Sequence, residues 1–385
     1  MIPKPSVWSA FWTFPSILLS AFIIAWGAEA AQFLISQGLA LAILAWLQTL
    51  PEFAVEAVIA WEAGKDPTKT HLAIANFTGS LRLLVGLGWP MIYFVAAGFG
   101  WKRHGRFINL ELEEEHSIEV FGLLLPILYF AFIWWKGTLT VWDAIPLTAF
   151  YVLYLFVLWK LPPQESDAEA LEDLGAIPRR VLGLEPRLRN TAIWALFIVG
   201  GIILYFSAHP FLYSMLAIAT TLGVSTFVFV QWVAPFLSEF PEKLSAFYWA
   251  RKVSTANVAL MNMVSSNINQ WSILSAMIPV IFVISAGTLK PLRFDGFQRQ
   301  EILLTILQSF LGFLLLLNLQ LKFHEAFVLF AFWLIQFVIP SSRHTMIYVY
   351  LAWCGIELVR MIVFDRAAPR AWTGLRRTLV RRFAR

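Results

Sequence analysis

From Leu303 to Leu321 the chain runs nineteen residues without a charged side chain, and from Ile118 to Trp135 it runs eighteen with only Glu119. Apolar runs of about 20 residues match the hydrocarbon thickness of a bilayer. Composition agrees: 59% of residues are hydrophobic, 14% are charged and the mean hydropathy is +0.69, where a soluble domain carries about a quarter charged residues. In lipid the backbone must satisfy its own hydrogen bonds, so such runs fold as helices. The pattern predicts spans over 9–30, 37–63, 72–98, 118–135, 139–160, 191–219, 224–250, 257–286, 300–320, 324–340 and 345–364, with a polar stretch at 161–190. The start of the chain resembles a secretory leader, with Lys4 ahead of an apolar stretch and the small residues "GAEAA". We keep it as a retained helix, because the internal repeat below uses it.

Lys and Arg of short loops collect on the cytoplasmic side. With the N-terminus outside, the inner loops hold Lys102, Arg103, Arg106, Lys160, Arg179, Arg180, Arg187, Arg189, Arg251, Lys252 and Lys322. An odd number of spans adds the arginine-rich tail after Asp365 to that side, where anionic headgroups would hold it. The outer loops then keep Lys4, Lys65, Lys69, Lys290, Arg293, Arg299 and Arg343. The short loops suggest a bacterial inner membrane. Lone Cys354 excludes an intrachain disulfide or a cysteine metal site, and the six histidines show no i,i+4 pair. A nucleic-acid partner is not suggested; the bilayer is the partner this composition implies.

Two stretches break the apolar pattern in the same way. "WLQTLPE", residues 46–52, and "FLSEFPE", residues 236–242, each put a proline beside a glutamate inside a hydrophobic segment. Each is followed by Asn and, four residues on, Ser: Asn76 and Ser80, then Asn262 and Ser266. Proline removes one helical hydrogen bond and frees a carbonyl. An intramembrane carboxylate is costly unless it faces a cavity, an ion or a proton. Five spans per half is odd, so the halves must be inverted, and broken helices meeting at mid-membrane are the build of many secondary transporters. The expectation is an all-α polytopic membrane fold: two inverted five-helix repeats (1–160 and 191–340), a cytoplasmic linker (161–190), and one extra transmembrane helix with a basic tail (341–385). Carboxylate, carbonyl and hydroxyl oxygens from both halves would surround one ion, the ligand set calcium takes.

At these residues the chain resembles the sodium/calcium exchanger superfamily of calcium:cation antiporters, whose repeats carry Gly-Thr-Ser-Leu-Pro-Glu and Gly-Asn-(Ala/Val)-Ile-Gly-Ser. Here the pairs read "LQTLPE" with "ANFTGS", and "LSEFPE" with "MNMVSS". The motif pairs cover about a quarter of the chain; the five-plus-five arrangement extends the likeness over most of it. The resemblance implies that Glu52 and Glu242 are the central carboxylates bridging calcium. It places Thr49, Ser80 and Ser266 on sodium ligands, and Ser238 on the threonine facing the ion path. The carbonyls near Gln48, Thr49, Leu237 and Ser238 would complete the shell. Sliding of the first helix of each half would switch access.

The departures bear on the counter-ion. Gln48 replaces a threonine, with an amide oxygen that still binds cations; Glu239 replaces a serine and adds a third carboxylate. Leu84 stands where the family has a polar residue, and Gln270 where aspartate is common. Fewer neutral sodium ligands suit proton coupling, since desolvation favours the protonated carboxyl, with Glu239 as carrier. Arg82 and Lys243 lie beside the motifs and are expected to face away from the ion. Glu56, one turn from Glu52, is either an entrance residue or a solvated acid. The implied function is exchange of a cation, calcium foremost, against sodium or protons, with no cofactor. Another cation exchanger, a non-transporting binder and an intramembrane acid-site enzyme stay open, although the chain lacks HExxH and any Gly-rich phosphate loop.

Overall fold

The computed structural model describes residues 6–31, 42, 45–46, 48–104, 109–160, 175–223, 225–363 and 370–383. The start of the predicted second span and the first part of the linker, 161–174, lie outside these residues. Among the described residues, eight helical stretches are long and apolar enough to cross a membrane, and two apolar helices at 229–238 and 323–338 are shorter.

Helix α1 (Ala10–Ala31) lies against α8 (Pro186–Thr221). Thr13 meets Ser214 at 3.0 Å, the Ser20 hydroxyl donates to the Gly200 carbonyl at 2.8 Å, and Gly27 faces Phe197. That order makes the two helices antiparallel, as inverted halves require. Gly200 permits the approach: a Cβ there would stand 2.6 Å from Ile24 Cγ1. Small residues let membrane helices pack backbone to backbone. At 36 residues and about 1.5 Å each, α8 exceeds the bilayer core and must tilt or project.

Each proline opens a new helix. Pro51 stands in the first turn of α2 (Leu50–Lys65) and Pro241 in that of α10 (Phe240–Arg251), where the missing N–H costs least. The residues before them, Thr49 (φ −85, ψ −3) and Glu239 (φ −92, ψ 2), share one backbone geometry. A hairpin leads from α2 to α3 (Thr70–Leu83), and from α10 to α11 (Ala256–Asn269). Both second helices widen into five-residue π-helices, Leu84–Gly88 and Gln270–Leu274, then continue as α4 (Trp89–His104) and α12 (Ser275–Ala286). A third π-helix, Phe229–Val233, precedes α9 (Ala234–Ser238). π segments are rare and gather at functional sites.

The halves interlock crosswise. Helix α2 packs on α12 and α10 on α4. The fourth helices, α5 (Ser117–Lys136) and α13 (Gly296–Leu316), pack on α11 and α3 of the opposite half. Short strands flank them: β1 (Leu110–Glu111) pairs with β4 (Gln320–Leu321), and β2 (Thr138–Leu139) with β3 (Leu292–Arg293), both antiparallel. The strand before one fourth helix thus pairs with the strand after the other, the exchange a two-fold axis produces. The fifth helices, α6 (Ala144–Trp159) and α14 (Phe323–Val338), close each half.

Beyond the repeats, α15 (Arg343–Val363) packs on α13, as the extra span requires. The basic tail is partly helical. It contains a helix, α16 (Arg370–Phe383), docked on α5 through a Phe121–Trp372 ring contact and on the end of α13 through a bond from the Ala371 amide to the Leu317 carbonyl at 3.0 Å. A second short helix, α7 (Ala176–Leu182), precedes α8. Arg343, expected in an outer loop, is instead buried on Glu301 and Gln231, because α15 begins at that residue and turns its guanidinium inward.

Candidate ion-binding site

The broken helices converge. Gln48, Thr49, Glu52, Ser80, Ser238, Glu239, Glu242, Ser266 and Gln270 are all buried, none more than 1% exposed. Glu52 sits in the first turn of α2, where a helix N-terminus favours negative charge. One of its oxygens takes the Asn76 amide at 2.6 Å, and the other takes the Ser238 hydroxyl from the opposite half. Glu239 is tied across the same axis: Ser80 of the first half and Gln270 of the second both meet one oxygen, Gln270 at 2.9 Å. Two further cross-links join the halves, Asn262 to Gln48 at 2.9 Å and Asn269 to Thr49 at 2.6 Å. Close approach makes this possible. A Cβ on Gly79 would fall 1.7 Å from the Gln231 carbonyl, so α3 lies directly on the 229–233 π-helix.

Several oxygens here are buried without a donor among the described residues: both carboxylate oxygens of Glu242, Glu56 Oε1, Asn76 Oδ1, Asn262 Oδ1 and the Ser266 hydroxyl. Ser266 lies beside Glu242 but outside hydrogen-bond geometry. Acceptors left unpaired in a low-dielectric interior carry a desolvation cost that a cation or proton removes. The donor set is carboxylate, amide and hydroxyl oxygen, suited to a hard cation.

A family profile described as sodium/calcium exchanger protein matches residues 6–160 and 192–341. The chain belongs to that family. The structure titled H+/Ca2+ exchanger CAX matches with TM-score 0.88 and 29% identity, over 98% of this chain and 92% of that one. Structures of the sodium-calcium exchanger NCX_Mj match with TM-score 0.59 and 16% identity over 86% of this chain and 99% of theirs, and with TM-score 0.59 and 15% identity over the same shares; these show a shared fold. No curated protein matches the sequence.

Within this exchanger, three expectations change. Lys243 does not face away: it is 5% exposed and its ammonium binds Glu239. Four residues separate the two, so one helical face carries both. Arg82 does face away from the carboxylates, but into a second buried network, bound to Glu301, to Gln336 at 3.2 Å and stacked over Trp232. Glu56 is not solvated; it is fully buried and shares the Asn76 amide with Glu52, at 2.7 Å. The Thr49 carbonyl is also not free, since the Phe53 amide bonds to it at 3.0 Å. Asn269, one turn past Ser266, escaped the motif comparison; its amide partner Thr49 is the only signal, and that exists in three dimensions.

Proposed function

We propose that this chain is an integral-membrane calcium:cation antiporter working by alternating access, with Glu52 and Glu242 as the central ligands of the transported divalent ion. One observation carries the reading: the carboxylate oxygens of Glu242 are buried without donors among the described residues, while Glu52 is buried and held by a hydroxyl from the opposite half. Amide oxygens of Asn76 and Asn262, with Glu56 and Ser266, offer further ligands. Ser238 positions Glu52; Gln48 and Thr49 are held by Asn262 and Asn269.

Protons are the counter-ion this geometry favours over sodium. Ser80, which stands at a family sodium-ligand position, and Gln270, which stands where aspartate is common, are both engaged with Glu239. Residues 1–160 and 191–340 form the inverted units, and α1 and α8 slide together against the rest to expose the chamber to each side in turn. The N-terminus lies outside and the C-terminus in the cytoplasm, by the distribution of Lys and Arg.

The test is calcium uptake into proteoliposomes under an imposed proton or sodium gradient. Glu52→Gln and Glu242→Gln each keep shape and remove charge, and each is expected to abolish uptake. Uptake persisting in both single variants defeats the assignment. A sodium gradient driving uptake as well as a proton gradient defeats the preference for protons alone.

A further inference from the structure

We propose that Lys243 is a built-in monovalent cation of the ion chamber, and the residue that frees calcium binding from any co-bound sodium. The inference rests on the cation-chamber reading above and deepens it.

Lys243 follows Glu242 on α10, with its side chain 5% exposed and its ammonium on one oxygen of Glu239. The other oxygen of Glu239 is taken by Ser80 and Gln270. Each oxygen of Glu239 thus already meets a donor among the described residues, and the cation at one of them is covalently attached to the protein. The same ammonium is within electrostatic reach of Glu52 and of Glu242. The nearby alternative, Arg82, is spent on Glu301 and Gln336 and cannot serve.

The consequence is a difference in charge. Whatever the state of the other groups, deleting the ammonium leaves the buried chamber one negative charge richer. An uncompensated buried charge is strongly unfavourable, and on this proposal a monovalent metal ion, rather than a proton, enters with calcium to replace it. Glu239, Ser80 and Gln270 would then supply a carboxylate, a hydroxyl and an amide oxygen to that ion. The tethered ammonium keeps that place filled throughout the cycle, and sodium finds nothing to bind there.

The experiment is calcium–calcium exchange of radiolabelled Ca2+ in proteoliposomes, which needs no driving counter-ion, in sodium chloride against choline chloride. Wild type is expected to exchange equally in both. Lys243→Met is expected to exchange at least about tenfold faster in sodium than in choline, a difference of about 1.4 kcal/mol. A Lys243→Met protein indifferent to sodium, or a wild type that requires it, overturns the proposal. Should the variant exchange in neither medium, equilibrium binding of radiolabelled Na+ to purified protein at saturating calcium decides. One sodium per chain in Lys243→Met and none in wild type supports the proposal; none in both overturns it. Calcium exchange persisting in Glu52→Gln and Glu242→Gln counts against the chamber itself. With those two inactive, a sodium-indifferent Lys243→Met counts against Lys243 alone.

Discussion

Asn76 does at the residue scale what the motif comparison did not assign to it. Its single amide nitrogen reaches Glu52 at 2.6 Å and Glu56 at 2.7 Å, holding two carboxylates of one helix together. Bonds to charged groups contribute about 1.5–3 kcal/mol each. Asn76→Ala should therefore weaken apparent calcium affinity by about tenfold or more, read by calcium titration of uptake; Asn76→Asp, which puts a third carboxylate there, should be worse than Ala. An unchanged affinity in Asn76→Ala would remove this residue from the site. Glu52 and Glu242 were legible because a proline beside an acid in an apolar run has few bland explanations. The direction of Lys243 was not. Its spacing to Glu239 puts both on one face, but which face meets the chamber depends on the turn at Glu239 and on Ser80 and Gln270 arriving from other helices. Glu56 misled for the same reason: Asn76, twenty residues on, decides whether it is wet.

At the scale of elements, the spans were legible from hydropathy to within a few residues. The breaks were legible from proline. The π-helices at 84–88, 229–233 and 270–274 were not, since an extra residue per turn leaves no compositional mark and is stabilised by neighbours. The tail drew an expectation of charge only; its helix docks on α5 through Trp372 and on the end of α13 through Ala371. The contact between α1 and α8 gives a paired test. Gly200→Ala drives a Cβ to 2.6 Å from Ile24 Cγ1 and 3.2 Å from the Ser20 carbonyl, whereas a Cβ on Gly201 meets nothing within 4 Å. Overpacking costs about 1–3 kcal/mol. Gly200→Ala should lower the thermal unfolding temperature in detergent, while Gly201→Ala leaves it unchanged or slightly raised. Equal effects at both positions would contradict this packing.

At the scale of the whole molecule, two buried polar systems share the interior. One is the ion chamber; the other joins Arg82, Arg343 and Gln231 on Glu301, with Gln336 linking Arg82 to Tyr350 at 2.9 Å. This second system ties α3, the 229–233 π-helix, α13, α14 and α15 into one body. Removing one partner of a buried ion pair costs about 3–5 kcal/mol because the remaining charge is stranded. Glu301→Gln strands two guanidinium groups, so it should destabilise the folded protein far more than Gly200→Ala in the same thermal assay. Stability close to wild type would show the network to be dispensable. Inversion of the halves was legible from the odd number of spans. The network was not, because its members lie up to 268 residues apart and none falls in a motif.

The central claim is that mirrored halves share one ion. Calorimetric titration of purified protein with calcium tests it most directly, by comparing wild type with Glu52→Gln and Glu242→Gln. The account predicts one calcium per chain in wild type and none in either variant. Two ions in wild type with one retained in each variant, or binding untouched by both, would contradict it.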